Sequence, residues 1–106
     1  MAKFLCTATY TSEGAKGLLK DGGTARRAAV QKMLEGLGGK LEAFYYAYGQ
    51  DDVYVLVDVP DTTSALALSL AVNASGAVRL ALVPLITPEE IDAACKKAPV
   101  YRAPGA

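Results

Sequence analysis

Residues 52–59 read DVYVLVDV, and this stretch decides the fold. Alternating β-branched and aromatic residues mark a strand. Val53, Val55, Val57 and Val59 fall on one side, and Tyr54 and Leu56 on the other. A strand that is apolar on both faces belongs in the middle of a sheet, covered from both sides. Pro60 ends it. Just before it, Gly49-Gln50-Asp51 makes a turn, and Lys40 to Tyr48 (KLEAFYYAY) forms an earlier strand. The polar and apolar alternation at the start of that earlier strand suits a sheet edge.

Outward from this hairpin the pattern repeats strand and helix. Lys3 to Tyr10 (KFLCTATY) alternates as a strand. Thr11-Ser12-Glu13-Gly14 caps a short helix from Ala15 to Lys20, broken at Asp21-Gly22-Gly23. Thr24 is the expected N-cap of the next helix. There Val30, Met33, Leu34 and Leu37 make one apolar stripe, ended by Gly36, Gly38 and Gly39.

After Pro60, Asp61 caps a helix from Thr62 to Asn73. Leu66 and Leu70 lie on one side of it and Leu68 and Val72 nearly opposite, so it is expected to pack on the sheet and on something else. Ala77 to Ile86 is the fourth strand, and Pro84 marks it as an edge. Thr87-Pro88-Glu89-Glu90 is a capping box with proline at the first helical position. The final helix carries a stripe of Ile91, Ala94, Cys95 and Ala98.

This order is β-α-β-β-α-β plus a C-terminal helix, the split β-α-β arrangement of a ferredoxin-like α+β domain. The expected architecture is a four-stranded antiparallel sheet with the first and third strands central. One domain spans residues 1–98 and a tail spans 99–106. Helices cover one face of such a sheet. The other face leaves an apolar patch wider than soluble monomers carry. A homodimer, packed sheet to sheet, is therefore expected.

Composition narrows the chemistry. The 106 residues are 52% hydrophobic and 21% charged, which places the chain among globular domains. Eleven basic residues balance eleven acidic ones, so no nucleic-acid or anionic-membrane footprint is present. No apolar run reaches the roughly 18 residues of a membrane span. The N-terminal apolar stretch is also too short for a signal peptide. Histidine is absent, which excludes Ser-His and Cys-His nucleophile pairs and a histidine base. Cys6 and Cys95 form no C-x-x-C motif. They are expected as free, buried thiols in a reducing, cytoplasmic setting. No metal or cofactor motif is found, and Gly22-Gly23-Thr24 lacks the lysine spacing of a P-loop.

The candidate site residues are Arg26, Asp52, Tyr10, Tyr46 and Tyr48. Arg26 extends the apolar stripe of the second helix, and a guanidinium there calls for a carboxylate or an anionic ligand. Asp52 is the expected partner, with backbone N–H groups as the alternative. Its neighbour Asp51 points to the opposite side and belongs to the turn, so the two acids form no proton-sharing pair. Tyr10, Tyr46 and Tyr48 offer hydroxyls to a small ligand, with core and interface packing as the plainer role.

Several stretches together resemble the GYD-domain family, grouped with the dimeric α+β barrels. They are Ala8-Thr9-Tyr10-Thr11 with Gly14, Leu18-Leu19-Lys20, Gly22 to Arg27, Leu37-Gly38-Gly39-Lys40-Leu41, Tyr48-Gly49 and Thr87-Pro88-Glu89-Glu90. The resemblance runs from Lys3 to about Ala94. The motif that names the family is Gly-Tyr-Asp; here the segment is Gly49-Gln50-Asp51-Asp52, with Asp51 where tyrosine is common. The resemblance implies fold more than function. Related dimeric barrels include small-molecule binders and cofactor-independent oxygenases and isomerases, so a small molecule held between sheet and helices is expected, with such an enzyme as the alternative. The doubly apolar helix at Leu66 to Val72 is the cue for a third expectation, an assembly protein.

Overall fold

A computed structural model describes all 106 residues. Its elements are β1 (Ala2–Tyr10), α1 (Ser12–Asp21), α2 (Gly23–Gly36), β2 (Lys40–Tyr46), β3 (Val53–Val59), α3 (Thr62–Ala74), β4 (Val78–Leu85) and α4 (Pro88–Lys97). The four strands make one open antiparallel sheet in the order β2-β3-β1-β4. This is the ferredoxin-like order. β3 and β1 are central, and β2 and the proline-bearing β4 are the edges.

Register decides which residues meet. Phe4 pairs with Val57, Cys6 with Val55 and Ala8 with Val53. All six are buried and face the helices. Leu5, Thr7 and Thr9 face the other way, beside Leu56 and Tyr54. Antiparallel pairing thus sends the β3 valines to the helix side and leaves Tyr54 and Leu56 on the open side, with Tyr54 37% exposed. β3 is central, as its sequence demands, but within one chain only its valine face is covered.

β2 carries a bulge between Leu41 and Ala43. The extra residue keeps Leu41, Phe44 and Tyr46 all opposite β3 valines, on the helix side. Leu34 of α2 and Ala65 and Leu68 of α3 press onto this face. Leu66 and Leu70 on the far side of α3 remain exposed.

Caps follow local chemistry, with one correction. Thr11, Asp61 and Thr87 accept N–H bonds from Gly14, Ser64 and Glu90. Thr24 is not the cap of α2. Gly22, at φ 82°, ends α1 and starts α2 together, so Thr24 already lies inside the first turn. A second correction concerns cysteine. Cys6 is buried, but Cys95 is exposed, because α4 buries none of its residues.

Candidate functional site

The two helical layers do not close over the sheet. Between α1 and α2 on one side and α3 on the other lies a cavity of about 480 Å³. Its floor is Cys6, Ala8, Val53, Val55 and Val57. Its walls are Val30, Met33 and Leu34 from α2 and Leu68, Ala71 and Val72 from α3. Small residues create the space: Gly14, Gly17, Ala29, Ala71 and Ala77 line it where larger side chains would fill it. The volume lies in the range of small-molecule sites.

The polar residues that line the cavity are Tyr10, Glu13, Asp21, Arg26 and Ser75. Tyr10 is the last residue of β1, and Arg26 comes from the first turn of α2. Tyr46 approaches Tyr10 and Arg26 from β2 without lining the cavity itself. Its hydroxyl donates to the Gly23 carbonyl at 3.1 Å, and its ring meets Phe44 edge to face at 5.2 Å. Burial, then the neighbouring Tyr10, pushes the Tyr46 hydroxyl up to about 12, against the opposing pull of Arg26 and Arg27. Three of the five candidate residues, Tyr10, Tyr46 and Arg26, thus converge.

The other two do not join them. Asp52 is not the partner of Arg26. Its Oδ2 accepts the Tyr10 N–H at 2.9 Å, while its own N–H donates to the Ala8 carbonyl at 2.8 Å. It closes the end of the β1–β3 ladder and holds Tyr10 in place. Asp51 turns to the open face and accepts from the Thr9 hydroxyl at 3.2 Å. Tyr48, in the loop after β2, is fully exposed and does not line this cavity. The ion pairs of the chain are Lys3–Glu42, Lys3–Asp58 and Lys16–Glu13, so Arg26 has no carboxylate bound to it. A half-buried guanidinium without a carboxylate is free to take a polar ligand group.

Two features escape a reading of the sequence. Gly14 is buried against the Ala77 carbonyl, so close that an added Cβ would lie 1.9 Å from its oxygen. The close approach of β4's start to α1 shapes the cavity mouth, and no local pattern announces it. On the open face, Lys3 binds Glu42 and Asp58. Contact with Glu42, then with Lys3, holds the Asp58 carboxyl below the usual range. The cross-strand pairing of Lys3 with Asp58 follows only once the register is known. On the floor, burial pushes the Cys6 thiol up to about 11, which favours the neutral thiol over the thiolate.

Fold and cavity together define an α+β sheet domain with an apolar, ligand-sized hollow under its helices and a cationic and phenolic mouth. The GYD domain family model matches residues 4–95, and the chain belongs to that family. Comparison with curated proteins and with solved structures gave no match. No helix is long and apolar enough to cross a membrane.

Proposed function

We propose that this protein binds a small, mainly apolar molecule in the cavity between sheet and helices. The molecule's polar end would meet Arg26, Tyr10 and Tyr46. The observation that carries this reading is the cavity itself: a gap of about 480 Å³ inside a 106-residue fold, apolar on floor and walls, with an unpaired guanidinium at its mouth. The space is a half-open cleft with the volume and mainly apolar lining of small-molecule sites, and that combination favours an occupant. With no histidine and a Cys6 thiol held neutral, the site's groups suit binding and orienting rather than proton transfer.

The probe is anilinonaphthalene sulfonate, an apolar ring system bearing an anion. Its fluorescence should rise with wild type. Arg26→Gln should weaken binding about tenfold by removing one charge-assisted hydrogen bond. Ala29→Phe, which places a ring into the gap, should block it. Equal binding by wild type and both variants would overturn the reading.

A second reading, self-association through the open sheet face, has its own support. Tyr54, Val83 and Leu85 there are exposed beside half-buried Leu5 and Leu56. Two such faces packed together would form the dimeric barrel. Unpaired Cys6 and Cys95 support a reducing, cytoplasmic setting.

A further inference from the structure

The C-terminal arm is a part of the chain that its own domain does not use. Every residue from Pro88 to Ala106 is exposed. Yet α4 is well specified. Thr87 and Glu90 form a complete capping box, Pro88 opens the helix, acidic residues occupy its first turn and Lys96 and Lys97 its last. Its stripe of Ile91, Ala94 and Cys95 points at water, with Ile91 50% exposed. Val100 and Tyr101 beyond it are also bare. A ten-residue helix is too short to hold itself together in water by propensity alone, so a packed face must stabilise it.

The dimensions of the chain say how much is missing. Its radius of gyration is 17.2 Å, against about 13 Å for a compact domain of this length. It exposes 7466 Å², against roughly 5,600 Å² for a compact monomer of this mass. The surplus of about 1,900 Å² exceeds the roughly 800 Å² that each partner contributes to a stable interface. The surplus is also continuous. Val83 and Leu85, on the open side of β4, lead through Ile86 into Ile91 of α4.

We propose that Thr87–Tyr101 is an exchanged arm whose α4 stripe docks on a second copy of this chain, extending the open-face interface at its margin. A second copy fits because each chain carries both an uncovered arm and an uncovered sheet face. A two-fold axis satisfies both at once, each arm covering the other chain. This rests on the self-association proposed above and adds to it the element that holds the pair together.

The test is light scattering and ultracentrifugation, without added ligand, of wild type, Ile91→Asp, a chain ending at Ile86, and Tyr54→Glu across a dilution series. Ile91 is 50% exposed and lies outside the packed core of its own chain, so Ile91→Asp should leave the circular dichroism of the domain unchanged. Wild type should dimerise, and both arm variants should self-associate at least tenfold more weakly. Cys95 supplies a native reporter, since its reaction with a thiol reagent should slow as wild type is concentrated and stay fast in Ile91→Asp. A dimer that survives both arm changes but not Tyr54→Glu overturns the arm and leaves the sheet interface standing. Loss of the dimer in the arm variants and in Tyr54→Glu alike supports the arm on the sheet interface, and loss in the arm variants alone overturns its placement at the margin of that interface. A wild-type monomer at every concentration overturns both. Cys95 protection that does not change on dilution places the arm on its own chain and also overturns the exchange.

Discussion

Gly14 and Gly17 lie three residues apart in α1, and replacing each by alanine should move stability in opposite directions. In a helix interior alanine is favoured over glycine by about 1 kcal/mol. At Gly17 nothing lies within 4 Å of the added Cβ, so the gain should appear, raising the melting temperature by about 4–8 °C. At Gly14 the added Cβ would lie 1.9 Å from the Ala77 oxygen and 2.9 Å from the Tyr10 ring. The Ala77 carbonyl cannot retreat freely. It accepts the Thr11 N–H at 3.1 Å and the Thr11 hydroxyl at 3.1 Å. Breaking both costs about 1 kcal/mol each, and displacing Tyr10 from its packing adds about 1–3 kcal/mol of overpacking strain. Set against the propensity gain, Gly14→Ala should destabilise by about 2–4 kcal/mol. Urea unfolding at one fixed protein concentration measures both variants, because self-association would otherwise shift the midpoints. A neutral or stabilising Gly14→Ala would refute the claim that the β4 start is locked against α1, and with it the account of the cavity mouth.

Two further predictions concern protons. Tyr46, pushed up to about 12, should ionise well above the ordinary tyrosine value, and Tyr46→Phe should remove that step from an ultraviolet titration. The unfolded chain releases that proton near the ordinary value of about 10, so the Tyr46 contribution to stability should fade as pH rises from there. Asp58 behaves in the opposite sense. Its carboxyl is held below its usual range, so its contribution is present above the unfolded value and is lost as pH falls through the folded one. Asp58→Asn should flatten the acid limb of a stability-versus-pH curve, and an unchanged limb would show that the Lys3 cluster does not couple to folding.

The sheet was legible in residue alternation, and the edges in single residues. DVYVLVDV marks a central strand because it is apolar on both faces, and Pro84 marks an edge because it cannot donate to a second neighbour. The helix stripe carrying Arg26 and the capping box at Thr87 were equally plain, since both are local patterns of three or four residues. The candidate site was only half legible. Helical spacing put Arg26 at the end of an apolar stripe, and the cavity lies there. The candidate tyrosines Tyr10, Tyr46 and Tyr48 could not be sorted from spacing. Tyr46 turns to the helix side because the β2 bulge sets its register, and Tyr48 falls past the strand's end.

Sequence by itself determined what each segment is: strand, helix, cap or turn, with the faces that must be buried. Those properties depend on neighbours a few positions away. Tertiary structure alone decided which buried faces meet and where they fail to meet. It sent Asp52 to the Tyr10 backbone instead of Arg26, opened a gap where α2 and α3 stand apart over the valines, and left α4 without a surface to cover. Such outcomes depend on register and on packing across the sheet, between residues that are tens of positions apart in the chain.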